Sequence, residues 1–232
     1  KSLYFMEQTS KYQRSIDRLN DALGKEISSE LREEIAKYLT KYNLDYNPTN
    51  EILVTVGASE GVDAVLRTIL NPDDELIICE PCYVSYQPLT TLCDAKVIHF
   101  DTSKTGFYPT AEELEKVITP KTKAIMLCSP SNPTGRMCPA DELEKIAELV
   151  KKHQIWCISD EIYCELVYDD NEHVSIGSFP GMKDYTIVLN GFSKAFAMTG
   201  WRIGFLAAPK ELVSELHKLH QYNVICAPIF SQ

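Results

Sequence analysis

From about residue 50 the chain alternates short, nearly continuous apolar runs with longer amphipathic segments, and few folds accommodate that pattern. The runs cover residues 52–56, 75–79, 96–100, 124–128, 155–159 and 186–189. Each is rich in Ile, Val and Leu without the polar alternation of a half-exposed strand. Such runs predict strands buried on both faces. Between several of them lie helical patterns at residues 59–70, 110–118 and 140–152, and a further one follows at 210–221. Thr110 and Glu113 stand at capping-box spacing. Leu143, Ile146, Ala147 and Val150 share one helical face. Strand alternating with helix predicts an α/β fold with a mainly parallel central sheet and flanking helices.

The first 45 residues read differently. Ile16, Leu19 and Leu23 form one helical stripe closed by Gly24. Leu31, Ile35 and Leu39 form another that starts near Ser28. The expected organisation is a helical segment over residues 1–45 and one large domain over 46–232. The chain opens on Lys1 and stops soon after its last helix, which reads as a fragment of something longer, cut at both ends.

Composition excludes several classes. The 232 residues are 44% apolar and 24% charged, an ordinary globular balance. No apolar run approaches the roughly 18 residues of a spanning helix, so no membrane partner is expected. A net charge of -10 argues against a nucleic-acid partner. Eight cysteines without a legible signal peptide fit a reducing cytoplasm. Cys79, Cys128 and Cys157 lie in apolar runs and read as core. Cys79-Glu80-Pro81-Cys82 has metal-ligand or redox spacing, but no second pair accompanies it, and His217-Lys218-Leu219-His220 is far away, so no metal site is expected.

In open parallel sheets, ligands bind beyond the carboxyl ends of the strands. That rule selects four places: Gly57-Ala58-Ser59-Glu60-Gly61 after the first run, residues 129–135 after the fourth, Asp160-Glu161-Ile162-Tyr163 after the fifth, and Asn190 to Lys194 after the sixth. The glycine-rich turn can cradle an anion at a helix start, or be an ordinary turn with Ser59 as N-cap. It has neither dinucleotide-fingerprint nor P-loop spacing. Asp160 ends an apolar strand, where a carboxylate needs a cationic or hydrogen-bonding partner. A protonated pyridine nitrogen would serve, as would a helix cap or a structural ion pair. Asn132 can donate to a phenolate oxygen or simply occupy a turn. Arg202 can grip a phosphate with two N–H groups or form a surface salt bridge. Tyr83 can lie against a planar ring or pack in the core. Lys194 sits among small and apolar residues with Arg202 eight positions on, a setting that favours a desolvated, neutral amine. Such an amine forms Schiff bases, and pyridoxal 5'-phosphate (PLP) is the cofactor that most often uses that chemistry.

Taken together, the motifs resemble a known family. Residues 193–204, with Ser193-Lys194 and Gly200-Trp201-Arg202-Ile203-Gly204, resemble the PLP-lysine region of class I/II aminotransferases of PLP fold type I, the aspartate and aromatic type. Ser131-Asn132-Pro133-Thr134-Gly135, Asp160-Glu161-Ile162-Tyr163 and the Gly57–Gly61 turn match in the same order, and the resemblance covers about residues 28 to 232. It implies the PLP-binding large domain of that fold, with the C-terminal small domain largely absent. It implies an aminotransferase that moves an amino group between an amino acid and a 2-oxo acid through a Schiff base on Lys194, which then shuttles the proton. It implies that Asp160 holds the pyridine nitrogen protonated, that Asn132 and Tyr163 bond the phenolic oxygen, and that Tyr83 stacks on the ring. Ala58, Ser59 and Glu60, mainly through backbone N–H groups, hold the phosphate with Arg202. Ser193 lies beside the cofactor, and the Glu60 carboxylate points away from the phosphate. A homodimer is implied as well.

The chain departs from the family pattern in three places. The substrate-carboxylate Arg and the N-terminal glycine-containing loop are expected to lie outside it. Ala22 stands near the place of a Tyr that reaches the partner's phosphate, and the segment before Gly24 does not carry the family's motifs. Three rival readings share many of the same residues: a PLP-dependent carbon–sulfur β-lyase, a non-catalytic PLP-binding sensor, and a PLP-free α/β binding module.

Overall fold

The computed structural model describes residues 29–228 and 231–232. The stripe of Ile16, Leu19 and Leu23 lies outside the described residues. The second stripe is helical over residues 29–40 (α1), and its Ile35 and Leu39 are buried.

All six apolar runs are strands: β1 (Ile52–Thr55), β2 (Glu75–Glu80), β3 (Lys96–Asp101), β4 (Thr122–Cys128), β5 (Trp156–Asp160) and β6 (Thr186–Gly191). A seventh, β7 (Gly204–Ala207), was not expected. Its four residues begin with Gly and end with Ala, which carries little strand signal. The sheet order is β1-β7-β6-β5-β4-β2-β3. From β3 through β6 neighbouring strands run parallel. Strand β7 runs antiparallel to both β6 and β1.

The continuous apolar runs are explained by two covered faces. Leu76 and Ile78, Ala124 and Met126, Ile158, and Ile187 and Leu189 point into one core. The alternate residues Ile77, Ile125, Leu127 and Cys157 point into another. A strand with period two that is buried on both sides has no position left for a polar residue. The first core is covered by α2 (Gly57–Ile69), the short α3 (Tyr86–Thr91) and α7 (Lys210–Val224). The second is covered by α4 (Ala111–Glu115) and α5 (Ala140–His153). Helix α1 closes a third cluster over Val54, Val188 and Phe205. A four-residue helix, α6 (Phe192–Ala195), follows β6.

Helix α5 carries Asp141 and Glu142 in its first turn and Lys151, Lys152 and His153 in its last, matching the helix dipole at both ends. The capping box expected at α4 is not formed: Thr110 makes no side-chain cap bond. Glu142 of α5 accepts the Ala111 N–H instead, at 2.7 Å, and Glu113 pairs with Lys116.

The reversed strand β7 leaves no room at its first residue. A Cβ built on Gly204 would lie 2.5 Å from the Ala58 nitrogen and 2.6 Å from the Gly57 carbonyl carbon. Gly204→Ala is therefore expected to cost about 1–3 kcal/mol through overpacking against backbone. Gly200→Ala, facing open space, is expected to stay within about 0.5 kcal/mol of the parent. Urea denaturation midpoints of the two variants check this.

Candidate active site

The carboxyl ends of β1, β4, β5 and β6 surround one cleft, and the reversal of β7 brings its amino end to the same edge. The cleft is partly open to solvent. Ala58, Ser59, Tyr83, Asn132, Asp160, Tyr163, Ser193, Lys194 and Arg202 all line it. Nine of the ten residues picked out from the sequence thus meet, although they come from six separate stretches of chain. The tenth, Glu60, does not line the cleft with its side chain.

Asp160 is the last residue of β5, and only 5% of it is exposed. The Tyr86 hydroxyl donates to its Oδ2 at 2.6 Å, and the Ile162 N–H donates to its Oδ1 at 3.2 Å. Both partners are neutral. Burial raises the Asp160 carboxyl above the ordinary value, and these two bonds pull it back only in part. The next residue, Glu161, points to the opposite side of the strand end. There it accepts from Ser159 and Ser175 at 2.9 and 2.6 Å and lies 3.2 Å from His173.

Helix α2 begins at Gly57, whose φ is +71°, and Val56 is its N-cap residue without a side-chain bond. Ser59 is therefore inside the first turn and is not the cap. The first-turn N–H groups of a helix have no intrahelical acceptors. Arg202 lies over this turn: its guanidinium would be 2.5 Å from a Cβ on Gly57. Its Nη1 donates to the Thr199 carbonyl at 3.1 Å, and its backbone is left-handed, with φ 52°. That conformation is uncommon for a residue other than Gly.

Lys194 is exposed, which corrects the expectation of a desolvated amine. Its helix, α6, has four residues and projects from the sheet edge, so its small and apolar neighbours do not enclose it. The Lys194 Nζ stands 5.7 Å from the centroid of the Tyr163 ring, within cation–π range. Tyr83 meets Tyr86 edge-on, with ring centroids 5.6 Å apart. Hydrogen bonds with Ser85 and Ser59 lower the Tyr83 hydroxyl below the usual phenol value. Asn132 is half-buried in a tight loop in which Gly135 N–H donates to the Ser131 carbonyl.

Tyr86 escaped the sequence reading. It opens α3, a six-residue helix containing Pro88 that shows no periodicity. Val62, Cys128, Ile162 and Thr199 also line the cleft. Cys128 is only partly buried by exposed area, as is Cys79, whereas Cys157 is in the core as expected. Burial pushes the Cys128 thiol up to about 12, so it remains protonated and is no nucleophile. Among the described residues no group of three His, Cys, Asp or Glu side chains can hold a metal ion, and no helix is long and apolar enough to cross a membrane.

A mostly parallel sheet with a crevice at its carboxyl edge defines an α/β protein of the class that binds ligands beyond its strand ends. The profile of the aminotransferase class I and II family matches residues 6–231, and the chain belongs to that family. The match reaches into the segment before Gly24, beyond the region that the motifs cover. A putative aminotransferase of Bacillus subtilis, YugH, is 52% identical over 187 residues, 80% of this chain and 48% of that protein. A probable N-acetyl-LL-diaminopimelate aminotransferase of the same organism is 49% identical, over 79% of this chain and 46% of its own length. The aromatic aminotransferase of Pyrococcus horikoshii superposes with a TM-score of 0.85 at 39% identity, over 94% of this chain and 61% of that one. The chain spans about half the length of the curated relatives it matches.

The raised Asp160 carboxyl has a consequence for stability. Its ionised form opposes folding: the cost is absent below the ordinary Asp value of about 3.9 and fully present above the raised one. Asp160→Asn keeps an acceptor for Tyr86 and is expected to raise the melting temperature of the cofactor-free protein at neutral pH. The difference is expected to shrink as the pH falls towards 4. Tyr86→Phe, which leaves the carboxylate short of a donor, is expected to cost about 1.5–3 kcal/mol. Calorimetry of the three proteins between pH 4 and 8 checks both.

Proposed function

We propose that this chain is the PLP-binding large domain of an aminotransferase acting between an amino acid and a 2-oxo acid. One observation carries the reading. The cleft gathers a buried carboxylate whose partners are neutral, a helix N-terminus under an Arg guanidinium, and a Lys amine.

The residues fit the cofactor. Asp160, short of a positive partner, suits a protonated ring nitrogen. The cradle of Gly57, Ala58, Ser59 and Arg202 suits a phosphate dianion, with Glu60 contributing only its backbone. Tyr83 offers a ring face, and Asn132 and Tyr163 offer donors to a phenolic oxygen. Ser193 stands beside Lys194 at the cleft wall. When bound, PLP supplies an aldehyde that captures amines and a ring that accepts an electron pair.

The chain's own residues do the rest. Lys194 Nζ is the amine that would hold the aldehyde and, once the amino acid replaced it there, would be free to take a proton from the substrate α-carbon and return it. The Asp160 carboxylate would hold a proton on the ring nitrogen. Burial would strengthen that ion pair, because the low-dielectric strand end screens it poorly.

The aminotransferase names of the relatives support this over the β-lyase and sensor readings. The division at residues 45 and 46 into a helical segment and a PLP-binding domain belongs to the same proposal, with α1 packed on the domain's sheet. So does a homodimer, carried over from the family. A cytoplasmic location is supported by eight cysteines that are all free.

Added PLP is expected to produce a visible absorbance band. Borohydride reduction followed by peptide mapping is expected to place the pyridoxyl group on Lys194, and Lys194→Ala is expected to abolish the label. A label elsewhere, or none, overturns the reading. A half-reaction that releases pyruvate and a thiol in place of pyridoxamine phosphate would replace the aminotransferase with a lyase.

A further inference from the structure

His220 belongs to the histidine pair that no sequence motif absorbed. It lies on α7, and its side chain is 4% exposed. Its Nδ1 lies 3.1 Å from Glu60 Oε1, across a sequence separation of 160 residues. The other Glu60 oxygen, Oε2, accepts the Val56 backbone N–H at 3.2 Å. An ionised carboxylate only accepts, so Nδ1 carries the proton in this contact. The Glu60 carboxylate is thus tied at both oxygens, once to the N-cap residue of α2 and once to a buried ring on another helix.

That tie decides where negative charge sits at the start of α2. A carboxylate in the first turn of a helix is drawn to the exposed N–H groups there. Released from His220, the Glu60 side chain would compete for those groups and repel a second anion approaching them. Tied as it is, it uses the Val56 N–H and leaves those of Gly57, Ala58 and Ser59, the side that Arg202 covers.

We propose that His220 is a positioning residue for the phosphate cradle: it holds the Glu60 carboxylate away from the anion. The inference rests on the cofactor reading above. It makes α7 part of the binding apparatus, although no α7 residue lines the cleft. A purely structural role for His220 would weaken all ligands alike, or none. A positioning role acts on the phosphate alone and operates through Glu60.

The test uses the cofactor-free full chain titrated with PLP and with pyridoxal, which lacks the phosphate. The variants are His220→Phe, His220→Ala and His220→Asn, the last retaining a donor near the Nδ1 position, each assayed below its own melting transition. His220→Phe and His220→Ala are expected to weaken PLP binding roughly tenfold and leave pyridoxal unchanged. His220→Asn is expected to bind PLP nearly as the parent does. Adding Glu60→Gln to His220→Phe or His220→Ala removes the charge that needs holding and is expected to recover most of the loss. An unchanged ratio of PLP to pyridoxal affinity in His220→Phe and His220→Ala overturns the inference alone, as does a loss that Glu60→Gln does not recover. A parent protein that binds PLP no better than pyridoxal overturns the cofactor reading, and this inference with it.

Discussion

The contact on which the rest of the site depends is the passage of β7 between β1 and β6 at Gly204. Thr55 and Gly191 face Gly204 from the two sides, and the first turn of α2 presses on it. A side chain there would push α2 away from the sheet. Because β7 runs opposite to its neighbours, its amino end reaches the edge where the other strands end. That reversal carries Arg202 over Gly57. A seventh strand running parallel would deliver the arginine to the far edge of the sheet, more than a strand length away.

Around that contact the cleft is arranged as a balance of charges at unequal depth. Asp160 is buried and Lys194 is exposed, while Arg202 crosses the mouth of the anion cradle. A carboxylate held only by Tyr86 and a backbone N–H is an expensive thing to keep in a core. The fold bears that cost at the one strand end where a cationic ligand would repay it. The left-handed backbone of Arg202 is a second local cost at the same site. A buried carboxylate without a cationic partner, in an otherwise well-matched α/β sheet, is a usual mark of a functional site.

Much of the site was legible because strand ends are legible. Asp160 follows an apolar run, and Lys194 follows another, so the carboxyl-edge rule collects them without knowledge of their contacts. Tyr86 was invisible for the opposite reason. It belongs to a short helix with no periodicity, and its partner is 74 residues away. His220 shows the same limit: nothing near it in sequence hints at Glu60. The exposure of Lys194 was misjudged because apolar neighbours in sequence do not enclose a side chain at a projecting sheet edge.

The sequence by itself determined the layered α/β architecture, six of the seven strands, and the residue types that meet at the cleft. Those follow from local properties, namely apolar periodicity and the residues that interrupt it. The tertiary structure decided the direction of β7, the burial of Asp160, the exposure of Lys194 and the tie between Glu60 and His220. Each depends on which distant segments come into contact, and a Gly, Asp, Lys or His has the same local signature whether or not that contact is made.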